Sequence, residues 1–197
     1  MDIFPLTLTG RYIRLEPLSE SHVPGLAAAG YSESIWRYML YGDLTNEEAM
    51  RNWVKDILGR QARGTDLAFT IISLKTGKAI GCTRYLEIRR ENRGLEIGGT
   101  WLAVEHQGSA ANPESKYLLL EHAFERLGCI RVQLKTDARN LQSQRAIEHL
   151  GAVREGLFRN HLILPDGTIR DSIYYSIIDS EWPGVKERLI ERLKHFT

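Results

Sequence analysis

Hydrophobic residues change their spacing repeatedly along the chain, and each change marks an element. Tyr12, Ile13 and Leu15 read as a strand over Arg11 to Leu15, closed by Glu16-Pro17. From Ser19, the positions His22, Val23, Leu26 and Ala27 to Ala29 follow a helical period that breaks near Gly30. Tyr31, Ile35, Trp36, Tyr38, Met39, Leu40 and Tyr41 form a span too aromatic for a solvated loop. Thr45-Asn46-Glu47-Glu48 starts a second helix with the apolar stripe Ala49, Met50, Trp53, Ile57 and Leu58, dissolving over Gly59 to Gly64. Leu67 to Leu74 and Ala79 to Ile88 are strands joined by a turn at Lys75-Thr76-Gly77-Lys78.

The most informative stretch is Leu95 to Leu127. Ile97, Thr100, Trp101, Leu102 and Val104 suit a buried strand, and Gly98-Gly99 marks a bulge or close backbone approach within it. Gln107-Gly108-Ser109-Ala110-Ala111-Asn112 is a turn with almost no side-chain bulk. Pro113 and Glu114 then occupy the first helical turn, Tyr117, Leu118, Leu120, Ala123, Phe124 and Leu127 recur at helical spacing, and Gly128 stops the helix. Ile130 to Thr136 is a further strand, Asn140 caps a helix with Leu141, Ala146, Ile147 and Leu150 on one face, and Val153 to Leu164 and Ile169 to Ile178 flank a turn at Pro165-Asp166-Gly167-Thr168. A terminal helix covers Trp182 to Phe196. This order of elements is α+β, or mixed α/β, around one sheet. With 197 residues it predicts a single domain over 1–197.

Small residues ahead of a helix N-terminus leave backbone N–H groups approachable, a way to hold phosphate without lysines. The turn at 107–112 is therefore a candidate diphosphate site, although such turns also serve simply to connect strand to helix. Charge adds nothing general: 26 basic and 25 acidic residues leave a net +1, which points away from nucleic acid and anionic membrane. Two cysteines, Cys82 and Cys129, are too few for a disulfide framework. The N-terminus lacks a basic, apolar leader pattern, and no apolar run is long enough for a membrane span, so a cytoplasmic setting is expected. Six histidines show no metal-ligand spacing, and no metal is expected.

Two separated motifs carry a resemblance: E96-I-G-G-T-W-L with Q107-G-S-A-A-N, and D137-A-R-N-L-Q-S-Q-R-A-I-E-H-L-G-A. Together they resemble the GCN5-related N-acetyltransferases (GNAT), nearest the RimJ/RimL-like ribosomal-protein branch, over nearly the whole chain. The resemblance implies a mostly antiparallel seven-stranded sheet splayed at strands 4 and 5, with acetyl-CoA as donor. Gln107 and Gly108 match the opening of the family's pyrophosphate loop, while Ala110 stands where a second glycine is usual and Asn112 where alanine is frequent. Gln107, Gly108, Ser109, Ala110, Ala111 and Asn112 are then cofactor-binding candidates. The amides of Leu102, Ala103 and Val104 would face the pantetheine arm and polarise the thioester carbonyl.

Acetyl transfer to an amine needs a proton acceptor, because an alkyl ammonium cannot attack. Glu96 is the candidate base, acting directly or through water, with burial against Trp101 expected to raise its pKa; the alternative is a salt-bridged strand-end acid. Asn140 and Ser143, three apart at a helix start, can face one cavity. The resemblance implies that Asn140 contacts the cofactor arm and that Ser143 protonates the departing sulfur. Lys116 and Arg145 are further phosphate candidates, each also readable as a solvated helix residue. Tyr31, Trp36 and Tyr38 lie where the family lines its acceptor channel. The expected function is direct acetyl transfer in a ternary complex to a protein N-terminus or a small amine, with a homodimer left open. A non-catalytic acyl-CoA sensor and a purely structural domain are the alternatives.

Overall fold

The computed structural model describes residues 1–196. Eight strands form one sheet: β1 (Leu8–Thr9), β2 (Ile13–Pro17), β3 (Leu67–Ser73), β4 (Ala79–Arg89), β5 (Gly94–Leu102), β6 (Arg131–Asp137), β7 (Val153–Ile163) and β8 (Ile169–Ile178). Their order is β1-β2-β3-β4-β5-β6-β8-β7, and every neighbouring pair is antiparallel except β5 with β6. The sequence reading expected seven strands; the eighth is the two-residue β1, too short to show a period. Six α-helices accompany the sheet: α1 (Val23–Ala29), α2 (Glu33–Trp36), α3 (Glu47–Ala62), α4 (Ala111–Glu121), α5 (Leu141–Glu148) and α6 (Trp182–Lys194). Helix α3 runs straight through Gly59 to Ala62, because the apolar stripe of Met50, Trp53, Val54 and Ile57 outweighs one glycine.

Two apolar clusters cover the two faces of the sheet. On one face, Ile13, Phe69, Tyr85, Leu95 and Ile97 pack with Leu118 to Leu120 of α4 and Val185 and Leu189 of α6. On the other, Ala68, Cys82 and Trp101 pack with Val23 and Leu26 of α1, Trp36 of α2, and Met50 and Trp53 of α3. Strand β3 is buried at all seven positions, as a strand with both faces covered must be.

Strand β5 changes face part-way. Leu95 and Ile97 belong to the α4 side, yet Trp101, an even number of residues from Ile97, belongs to the α1–α3 side. The register explains the switch: Arg84 pairs with Gly98 and Cys82 with Trp101, so three steps on β5 oppose two on β4. Gly99 takes φ +57 inside this bulge, and a Cβ there would lie 2.7 Å from both Arg84 Nε and Tyr41 Oη. The distortion expected at Gly98-Gly99 is thus a one-residue bulge.

Parallel strands need a crossover, which α4 supplies between β5 and β6. Their pairing is short: Gly94 with Arg131, Leu95 with Val132 and Glu96 with Gln133. Beyond Glu96, β5 runs on to Leu102 and β6 to Asp137 without pairing to each other, and the sheet opens into a cleft.

Candidate active site

Both connections that follow this parallel pair lead into helix N-termini at the open end. Ligands in sheets with parallel strands gather outside such carboxyl ends, where amides and helix dipoles converge. After β5, Val104–His106 form a 3₁₀ turn and α4 begins at Ala111. After β6, Asn140 caps α5 as expected, accepting from the Ser143 amide at 3.0 Å.

The small-residue turn is built to expose its amides. Gly108 takes φ +73 with nothing within 4 Å of where a Cβ would sit. Ser109 Oγ donates to the His106 carbonyl at 2.7 Å and accepts from the Ala111 amide at 3.2 Å, fixing the turn. Among the described residues, the amides of Gly108, Ser109 and Ala110 meet no protein acceptor. Ala110 has φ −61, an ordinary helical value, so the alanine in place of a second glycine costs the loop nothing. The helix starts at Ala111, with Asn112 in its first turn, two residues earlier than Pro113 alone suggested.

Strand β5 presents one further donor to the cleft. The Ala103 amide donates to the Ile80 carbonyl at 2.8 Å, so it is not free to meet a ligand. Antiparallel amides alternate in direction, and Leu102, opposite Gly81, therefore turns its N–H away from β4, toward the open edge. Val104, 43% exposed, sits at the lip of the cleft.

Glu96 lies where the seam ends. Its side chain is 2% exposed; Oε2 accepts from Gln133 Nε2 at 2.9 Å and pairs with Lys135 Nζ at 3.0 Å. Oε1 makes no hydrogen bond among the described residues and points into the space that Gly98 leaves open, where a Cβ would lie 2.9 Å from it. The expected packing against Trp101 is not what is found: Trp101 packs instead at a tilt against Trp36, centroids 5.0 Å apart, and edge-on to Trp53 at 6.4 Å.

Two other expectations, those for Trp36 and Lys116, need correction. Trp36 is a core residue at 4% exposure, its indole N–H bound to the Gly30 carbonyl at 2.9 Å. Tyr31 is 60% exposed. The Tyr38 carbonyl accepts from Arg170 Nη1 at 3.3 Å, and the Arg139 guanidinium lies 5.8 Å from its ring. Lys116 is neither solvated nor turned to the phosphate turn: it is 5% exposed, and Nζ donates to Thr100 Oγ1 at 2.5 Å. Burial lowers its pKa to about 7. Arg145 is exposed on α5. Ser143 is half-buried, its hydroxyl without a hydrogen bond among the described residues.

The sequence reading passed over Gln133 and Lys135. They alternate with core Val132 and Leu134 on β6, and two long, mostly covered polar residues on the strand face opposite that core are the available signal. It also passed over the buried Arg84–Asp66 pair, 3.2 Å apart, whose arginine donates to Tyr41 Oη at 2.7 Å.

A family model described as an acetyltransferase (GNAT) domain matches residues 13–153. The chain belongs to the GNAT acetyltransferases. Similar proteins include the ribosomal-protein-serine acetyltransferase of Escherichia coli K12, 26% identical over 86% of this chain and 94% of that one. The Bacillus subtilis protein YdaF, provisionally assigned as a ribosomal N-acetyltransferase, is 32% identical over 57% of this chain, and the match spans 61% of its own length. The solved structure of a GCN5-related N-acetyltransferase from Brucella melitensis superposes with TM-score 0.90 at 28% identity, covering 97% of this chain and 86% of that one.

Both cysteines of this GNAT domain are poor nucleophiles. Burial pushes the Cys82 thiol up to about 12 and the Cys129 thiol to about 11. Among the described residues, no helix is long and apolar enough to cross a membrane.

Proposed function

We propose that the chain, acting as one domain over 1–197, moves an acetyl group from acetyl-CoA to a primary amine by direct attack in a ternary complex. The observation that carries this reading is the turn at Gly108–Ala110, whose three unpaired amides lie at the mouth of the cleft between β5 and β6. Those amides and the N-terminus of α4 fit a pyrophosphate, and Asn140, the cap of α5, and Arg145, in its last turn, make further contacts to the cofactor. The Leu102 amide donates to the thioester carbonyl as it gains negative charge. Glu96 receives a proton from the acceptor nitrogen at its unbonded Oε1, and Ser143 delivers one to the leaving sulfur. The inert cysteines support this route over one through an acetylated thiol.

The relatives named for ribosomal-protein acetylation favour a protein N-terminal amine as acceptor over a small amine. Tyr38 and the exposed Tyr31 stand on the acceptor side. We place the enzyme in the cytoplasm, where acetyl-CoA and ribosomes are, and a homodimer is compatible with this reading. One observation favours a non-catalytic acyl-CoA sensor as the second reading: Glu96 already has a counter-charge in Lys135. Release of free thiol from acetyl-CoA with N-terminal peptides and small amines decides between them. Turnover is the expected result; tight CoA binding without turnover selects the sensor, and no CoA binding ends both readings.

A further inference from the structure

Acetylation of an ammonium releases two protons from nitrogen. As the C–N bond forms and the C–S bond breaks, one proton ends on sulfur and the other must reach solvent. Glu96 and Ser143 handle the proton lost by the adduct and the one gained by the thiolate. A separate route is needed for the proton that the ammonium sheds before it can attack.

A cavity of about 520 Å³ opens on the outer face of β6, β7 and β8, and its wall includes Gln133 and Lys135, the two residues bound to Glu96. The same wall carries Phe158, His161 and Tyr174. Lys135 and Tyr174 are cross-strand partners, with the ammonium 5.9 Å from the ring. A polar chain leads away from that point. Tyr174 Oη lies 3.2 Å from His161 Nε2, and His161 Nδ1 lies 3.0 Å from Ser172 Oγ. Ser172 Oγ also accepts from Arg170 Nε at 2.9 Å. A serine oxygen has two lone pairs and can accept both N–H groups; in the tautomer with the proton on Nδ1, His161 Nε2 accepts from the Tyr174 hydroxyl.

We propose that Tyr174 and His161 carry the acceptor ammonium's first proton to solvent. The ammonium gives its proton to Tyr174 Oη as the tyrosine's own proton passes to His161 Nε2; His161, half-buried at the cavity wall, then releases a proton to water. The neutral amine attacks, Glu96 takes the second proton, Ser143 protonates sulfur, and the proton on Glu96 returns to Ser143 through solvent. One proton is released per turnover, as the reaction requires.

The surroundings suit a relay rather than a reservoir. Burial lowers the His161 pKa, and the cations facing it, Lys135 from β6 and Arg170 from β8, lower it further. A histidine in this setting accepts a proton only briefly. Of the acids on the same wall, Glu155 is held by both terminal nitrogens of Arg131, while Glu87 sits at the rim. Tyr174 itself stays protonated, its pKa raised by burial.

This inference rests on the acetyltransferase reading, and pH separates the two. In kcat/KM profiles with an N-terminal peptide from pH 6 to 9.5, His161→Gln and Tyr174→Phe are each expected to lose about tenfold or more at pH 6.5. Both should approach the wild-type value above pH 9, where the α-amine is already neutral. Acetyl-CoA affinity should not change. Wild-type turnover with variant profiles parallel to it, whether lowered or not, overturns the relay alone; no wild-type turnover at any pH overturns both readings. Should one variant fail to fold, the other carries the same expectation, and imidazole restoring His161→Ala at pH 6.5 supports it independently.

Discussion

Lys135 reaches across the end of the parallel seam and sets its ammonium 3.0 Å from Oε2 of a Glu96 carboxylate that is 2% exposed. A buried pair of this kind adds little net stability, yet removing one partner strands the other. Lys135→Met should cost about 3 kcal/mol or more in urea unfolding. The double variant Glu96→Gln with Lys135→Met should recover most of that loss, because the remaining amide needs no counter-charge. Independent, additive losses would mean that the two side chains do not interact as placed.

Lys116 gives stability a pH dependence of definite sign. Its pKa is lowered to about 7 in the folded chain, against roughly 10.4 when unfolded, so between these values the unfolded state binds more protons and stability rises with pH. Below pH 7 both states are protonated and the dependence levels off. The span amounts to roughly 4–5 kcal/mol as an order of magnitude. Lys116→Met removes this titration, so urea midpoints of wild type and variant should diverge at pH 6 and converge toward pH 10, with the variant the more stable at low pH. A constant gap would show that Lys116 stays charged.

Gly108 and Ala110 should respond oppositely to the exchange of hydrogen for methyl. Gly108 holds φ +73 in open space, so Gly108→Ala introduces backbone strain and no clash, about 1 kcal/mol, or roughly fivefold in acetyl-CoA affinity. Ala110→Gly should bring no gain, since φ −61 suits alanine already. Calorimetric titration with acetyl-CoA measures both.

Ser143 has a hydroxyl free of internal hydrogen bonds among the described residues, on a helix whose cap is made by Asn140 and not by Ser143 itself. Ser143→Ala should therefore leave the fold and acetyl-CoA affinity intact while lowering kcat by about 100-fold. An unchanged kcat would remove Ser143 from the chemistry.

Periodicity discloses every strand but β1 and the main helices, and the glycine pair Gly98-Gly99 marks the bulge, because each follows from local sequence. The exposed turn at 107–112 was also legible, since lack of bulk is visible in letters. What escaped depends on pairs distant in sequence. Glu114 looked like an acid placed for a helix dipole; it is 3% exposed and accepts the amides of Arg11, Tyr12 and Ile13 at 2.7 to 2.8 Å. The space for its carboxylate exists only because Gly10 has no Cβ. Lys116 read as solvated since nothing local shows that α4 turns it onto Thr100. Trp36 read as channel wall because aromatic clusters line sites and cores alike. The partners of Glu96 lay 37 and 39 residues away, on a strand whose registry no turn could specify.

The three residue pairs that join β5 to β6 divide the molecule mechanically. One antiparallel ribbon runs from β1 to β5, another comprises β6, β8 and β7, and only those three pairs join the two ribbons. On the proposed reading, an extended ligand lying against Leu102 would stand in for the strand that is missing there. Its arrival would complete the sheet, so that occupancy and rigidity would rise together and departure of the product would loosen the joint again.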